Sequence, residues 1–272
     1  MMVRMFILGF LLCLTIIVSC GDQYDDNSVP SSSLVSPPKM FYDYCIDENA
    51  SIEIKKTVEA LKLATNQSDC GKVSYTILSQ KYIRLDLSGF GISDLTPLAT
   101  FERTLELNLN NNNISDLSPL LQMRNLSILK VSNNQLSDLS SIRYFVYLNE
   151  ADFSGNQISD LSDFEGRSFL RKLNLADNDI EDLSPLSSLE FLDSLVLSKN
   201  KIANLTPLSG MTTLKNLWLD ENMVFNVSPL VPLESLLTFS ISLNPLGNTV
   251  EKNDTNCPKS SKNTLLNKFC SD

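Results

Sequence analysis

The chain has 272 residues, 43% hydrophobic and 20% charged, with 22 Lys and Arg against 32 Asp and Glu. That supports one sizeable domain or two small ones and is not the composition of a disordered chain. The net charge of −10 argues against a nucleic-acid partner, which calls for a basic face to displace counterions. Histidine is absent. Its absence removes Ser-His-Asp triads, Cys-His pairs, HExxH zinc sites and imidazole acid–base chemistry.

Residues 1–19 read as a signal peptide. Arg4 supplies a positive start, and Met5 to Val18 is an almost unbroken apolar run, short for a membrane-spanning helix. The run ends in Ile17-Val18-Ser19-Cys20-Gly21. This ending resembles a bacterial lipobox, which implies that Cys20 becomes the first mature residue and carries acyl chains. The alternatives are an ordinary cleaved signal or an uncleaved anchor, with Cys20 incidental. Residues 20–39 follow as a tether, with Ser31, Ser32, Ser33, Pro30, Pro37 and Pro38 and few apolar side chains to offset chain entropy. The expected address is the bacterial cell envelope, with the membrane reached through the N-terminal lipid. By resemblance to the enteric sorting rule, Gly21 in place of Asp slightly favours the outer over the inner membrane, while Asp22 leaves the choice open.

Residues 40–81 read as an N-terminal cap. Within it Asp47 to Ala64 places Ile54, Val58 and Leu61 at helical spacing, an amphipathic helix able to cover an open coil.

From Tyr82 a 22-residue unit repeats without insertion, starting again at Thr104, Leu126, Leu148, Leu170, Leu192, Leu214 and Leu236. Seven full units and a partial eighth occupy residues 82–246, with the pattern L-x-x-L-x-L-x-x-N-x-I-x-D-L-x-P-L-x-x-L-x-x. This pattern resembles the leucine-rich repeat, at the short end of that family's length range. The alternation at Leu173 and Leu175 predicts a short strand with one buried face. A column of Asn112, Asn134, Asn156, Asn178, Asn200, Asn222 and Asn244 can satisfy backbone groups where the chain turns; Phe90 breaks it in the first unit. Ser or Thr before Pro predicts an N-cap and a short helical turn on the convex side. The preceding Asp94, Asp116, Asp138, Asp160 and Asp182 read as turn caps in preference to a calcium ladder, because the dense Gly-Asp ligand pattern is missing.

The unit with its Asp-Leu-x-Pro-Leu tail resembles the repeats of bacterial internalins and of phosphatase-regulating leucine-rich-repeat proteins. The resemblance implies an α/β fold: a right-handed solenoid with a parallel sheet on the concave face, short helical turns on the convex face and a helical N-terminal cap. It also implies a partner-binding role. The chain departs from internalins in its N-terminal anchor signal and in leaving no room for an immunoglobulin-like domain.

Strand residues between the core leucines face the concave surface. The central row runs Asp86, Asn108, Lys130, Asp152, Asn174, Val196, Trp218 and Ser240. Near its C-terminal end Trp218 and Val196 are flanked by Lys199, Lys215, Asp220 and Glu221, the profile of an interface hot spot. The competing reading packs Trp218 against the C-terminal cap, residues 247–272. In the fourth unit, Ala151 replaces a core leucine and Asp163 and Arg167 break the pattern, which predicts a local bulge.

No nucleophile–base constellation stands out, so no catalytic residue, cofactor or metal site is expected. The function expected is a lipid-anchored envelope scaffold binding a protein or envelope component. An architectural envelope protein is the main alternative, and an enzyme the remote one.

Outside the signal and Cys20, the cysteines are Cys45, Cys70, Cys257 and Cys270. An even number in an exported chain suggests disulfides. Eight coils at about 4.8 Å separate the two ends by roughly 35–40 Å, whereas a disulfide spans only about 4.4–6.8 Å between Cα atoms. Cys45 should therefore pair with Cys70, and Cys257 with Cys270.

Overall fold

The structure, a computed structural model, describes residues 39–245 together with 264, 266 and 267. Cys20, Cys257 and Cys270, the signal peptide and nearly all of the tether lie outside the described residues.

Among the described residues, eight short strands form one parallel sheet in chain order. They are β1 (Ile83–Asp86), β2 (Thr104–Asn108), β3 (Ile128–Lys130), β4 (Glu150–Asp152), β5 (Lys172–Asn174), β6 (Ser194–Val196), β7 (Asn216–Trp218) and β8 (Thr238–Ser240). The strands align at the period of the sequence: Glu106 faces Ile128, and Glu150, Lys172, Ser194, Asn216 and Thr238 continue that row. The register slips only between Ile83 and Arg84, where Ile83 pairs with Thr104. Ile83 thereby takes the core place and Tyr82 moves out to the strand's leading edge.

The core follows the repeat. Leu170, Leu173, Leu175, Ile180, Leu183 and Leu186 of one coil are each no more than 1% exposed. A turn must follow each strand, and it leaves buried amide groups that water cannot reach. The asparagine column supplies their partners. Asn178 Oδ1 accepts from the Ile158 N–H at 2.9 Å, and its Nδ2 donates to the carbonyls of Phe153 at 3.0 Å and Leu175 at 3.1 Å. One side chain thus joins two coils. The same set recurs from Asn112 to Asn244. The residue before each column member has positive φ: Asn111, Asn133, Gly155, Asp177, Lys199, Glu221 and Leu243. At Gly155 a Cβ would stand 2.3 Å from Asn133 Oδ1, so the close approach of two coils as well as φ requires glycine there.

On the convex side the chain forms short 3₁₀ turns, such as Thr96–Leu98 and Ser184–Ser188. The cap is not the Ser or Thr that the sequence indicated, because that residue is already the first of the turn. Asp182 two places earlier does the capping, its Oδ1 accepting from the Ser184 N–H at 2.8 Å and hydroxyl at 2.6 Å. The Ser184 hydroxyl, and then its N–H, hold the Asp182 carboxyl below the ordinary range. Asn204 and Asn226 cap Thr206 and Ser228 in the same way, so geometry and not charge is the requirement.

The N-terminal cap holds three helices among the described residues: α1 (Phe41–Ile46), α2 (Ile52–Thr65) and α3 (Cys70–Leu78). Only α2 corresponds to the helix expected from Asp47, and it starts later. Ser51 Oγ accepts from the Ile54 N–H at 3.2 Å and fixes the start, while Ala50 closes a turn onto the Asp47 carbonyl. Phe41, Val58, Leu61, Val73 and Ile77 are buried, and the Phe41 ring lies 5.8 Å from that of Phe101 in the first coil. Thr57 donates to the Asp94 carbonyl at 2.6 Å, tying α2 to the same coil. Cys45 and Cys70 are bonded, with Cα atoms 5.9 Å apart, and the bond joins α1 to the start of α3.

The bulge expected in the fourth unit is absent, since β4 pairs in register with β3 and β5. Phe153 and Phe164, edge to face at 5.9 Å, occupy the interior beside the small Ala151. The irregular residues act outside the sheet: Asp163 pairs with Arg143, and Arg167 Nη1 donates to the Arg143 carbonyl at 2.9 Å.

Candidate functional site on the concave face

Polar side chains at the N-terminal end of the concave face are engaged with one another. Arg84 pairs with Glu106 at 3.3 Å, and Glu150 lies between Lys172 at 3.1 Å and Lys130 at 4.0 Å. Such exposed pairs add little stability, but they neutralise the row. In the central row Asp86, Asn108, Asp152 and Asn174 each accept from the backbone N–H two residues on. Their oxygens brace the strand ends.

The pattern changes at β6 and β7. Val196 and Trp218 sit opposite each other in register, both half-buried, and neither side chain can brace the backbone in this way. An apolar centre therefore replaces the polar row. Lys199 and Glu221 hold the positive-φ positions just past these strands and are exposed on one rim. Lys215 lies at the opposite rim, paired with Asp193 at 3.0 Å.

Asp220 has a different place from the other charged candidates. Its Oδ1 accepts from the Ser240 hydroxyl at 2.5 Å and the Ser242 N–H at 2.7 Å, and its Oδ2 from the Ser198 hydroxyl at 3.4 Å. Burial opposes its ionisation, but these hydrogen bonds, Ser240 foremost, outweigh burial and lower its pKa. Asp220 thus acts as a brace across three coils, and it fixes Ser240 beside Trp218. The structure accordingly gathers an apolar pair, a rigid acidic brace and charged rims. Among the described residues, no group of three or more Cys, Asp or Glu is arranged to hold a metal ion.

A second exposed feature escapes the strand-based reading. Tyr147, Phe169 and Phe191 stand one coil apart on the leading edge of the strands, 54%, 58% and 46% exposed. Their recurrence at the repeat period was the available signal, but the position falls in a loop outside the alternation.

Sheet, asparagine column and convex turns together define an α/β leucine-rich-repeat solenoid. A family model described as leucine-rich repeats (2 copies) matches residues 168–210. No curated protein sequence matches the chain. Among solved structures, the chain is similar to internalin C2 of Listeria monocytogenes, with 28% identity over 71% of this chain and 88% of that one, at a TM-score of 0.60. It is also similar in fold to an internalin F of the same species (21% identity, 78% and 74% covered, TM-score 0.53). A leucine-rich-repeat protein of Leptospira interrogans has the fold as well (23% identity, 64% and 46% covered, TM-score 0.56).

Proposed function

We propose that this chain is a lipid-anchored scaffold of the bacterial envelope that binds a protein or another envelope component through β6 and β7 of its concave face. One observation carries the reading: Val196 and Trp218 form an apolar centre in a row whose Asp86, Asn108, Asp152 and Asn174 are committed to their own backbone. An aromatic anchor surrounded by polar rims is the usual centre of a protein interface. The likeness to internalin C2 supports a scaffold role, as does the uninterrupted repeat, which leaves no loop to build a catalytic pocket.

The test is a pull-down from envelope extracts with the purified domain. One stoichiometric partner is expected, and Trp218→Ala should weaken its binding by about 2 kcal/mol without altering the circular dichroism spectrum. Retention of an abundant polymer alone would favour an architectural role. Unfolding of the variant would assign Trp218 to packing against the C-terminal cap.

The address rests on residues 1–39. Cys20 is read as the acylated residue, with the tether holding the solenoid off a membrane, the outer one being slightly favoured. Acyl chains contribute about 0.8 kcal/mol per buried CH₂, so several make a lasting anchor. Cys20→Ala is expected to shift the protein from the membrane fraction to the soluble one or to block its maturation. Normal maturation with membrane retention would show that another feature holds it.

A further inference from the structure

The leading edge of the solenoid is closed by side chains in some coils and open in others. Asn149 Nδ2 donates to the Phe169 carbonyl at 3.1 Å, and Arg171 Nη1 to the Phe191 carbonyl at 3.0 Å, each reaching one coil forward. Leu105 and Ser127 occupy the corresponding places in the second and third coils. Leucine has no donor for such a clasp, and the Ser127 hydroxyl does not make it. The edge opens there into a surface pocket of about 460 Å³, with Leu105, Ser127, Tyr82 and Tyr147 in its lining.

The charge of this pocket runs against that of the molecule, whose net charge is −10. Lys81 and Arg103 line it. On the concave face Arg84, Lys130, Lys172 and Lys215 all have carboxylate partners. Lys81 and Arg103 have none among the described residues. The Lys81 ammonium lies 5.1 Å from the Tyr82 ring centroid, and Arg103 donates to the Leu78 carbonyl. A guanidinium has five N–H donors, so most of its capacity stays open to a ligand. Asn125, also in the lining, makes no side-chain hydrogen bond among the described residues.

Beyond Tyr147 the edge continues as an aromatic track. The Tyr147 and Phe169 rings are 5.9 Å apart, and the Arg171 guanidinium lies 5.2 Å from the Phe191 ring centroid. Alternate side chains of an extended polypeptide are about 6.7 Å apart, close to the 5.9 Å between the Tyr147 and Phe169 rings. An extended chain can therefore present successive outward side chains to Tyr147 and Phe169 while its acidic end enters the pocket.

We propose that this edge is a second binding site, distinct from the concave face, for an extended polypeptide segment that carries carboxylates followed by alternating aromatic side chains. The carboxylates meet Lys81 and Arg103, where charge-assisted hydrogen bonds form, and the aromatic side chains lie on Tyr147, Phe169 and Phe191.

The probe is a fluorescein-labelled nonapeptide with two glutamates at one end followed by alternating phenylalanine and serine, titrated against the full soluble domain by fluorescence anisotropy. Saturable binding that weakens with added salt is expected. The Lys81→Gln/Arg103→Gln double variant should bind about tenfold more weakly, as should Tyr147→Ser, each with an unchanged circular dichroism spectrum. Trp218→Ala should bind the peptide like wild type, which separates this site from the concave one. The proposal is overturned by absence of saturable binding, by equal binding of a glutamine-for-glutamate peptide, or by an affinity that the edge variants leave unchanged. Binding of polygalacturonate without binding of the peptide also overturns it, since the pocket would then serve an acidic sugar.

Discussion

Asn178→Ala should lower the unfolding free energy by about 3 kcal/mol, a large effect for removing one polar side chain. The side chain is buried and links two coils: its Oδ1 accepts from the Ile158 N–H, and the two N–H donors of its Nδ2 are shared among the Phe153, Leu175 and Ala176 carbonyls. Alanine leaves the Ile158 N–H unpaired where water reaches poorly, and it takes one of two side-chain donors from each of the Phe153 and Leu175 carbonyls, which Asn156 and Asn200 still serve. An unpaired buried group costs about 1–3 kcal/mol, and relaxation recovers part of the sum. Asn178→Asp should be no milder at neutral pH. It keeps an acceptor for Ile158 but sets a second carboxylate oxygen against carbonyls. Urea unfolding measures both variants. A loss below about 1 kcal/mol for alanine would mean that water takes over the ladder.

The second large effect belongs to the cap. Replacing Cys45 and Cys70 together by alanine should cost about 3 kcal/mol of cap stability, the loop-closure entropy expected for a bond between residues separated by 25 in sequence. The loss should stay local, because each coil of a solenoid touches only its neighbours. Hydrogen exchange is then expected to quicken in α1 and α3 first, with the amides of β4 to β6 still protected. Uniform loss of protection along the sheet would show that the cap and the repeats unfold as one unit.

The repeat was readable because its physics is written into a fixed period. Core leucines, the asparagine column and the strand alternation each demand one residue type at one position, so a single unit such as 170–191 predicts its neighbours. The convex turns were legible in outline only. Both Asp182 and Ser184 are capping residues by type, and only the bonds from Ser184 to Asp182 show which one accepts. In the cap, α1 is six residues long and α3 nine, too short for a helical period to emerge. The fourth unit misled because Ala151 looks like a defect when read alone; Phe153 and Phe164 of the same unit meet edge to face in the interior, a contact that no pattern position announces.

The concave candidates were found as a row, and their chemistry was not. Val196 and Trp218 lie side by side as strand alternation requires. Asp220 reads in the sequence as a rim charge, yet its carboxylate is tied to Ser198, Ser240 and Ser242 by bonds that cross coils. The edge aromatics Tyr147, Phe169 and Phe191 precede the strands, where no alternation marks them.

The central claim is that a partner is held on the concave face at β6 and β7. It is tested most directly by placing a photo-cross-linking amino acid at Asn216 on that face and, separately, at the exposed Ser187 on the convex side. Irradiation in envelope extract should join one discrete partner through position 216 and none through position 187. Cross-linking of that partner through 187, with none through 216, would contradict the account.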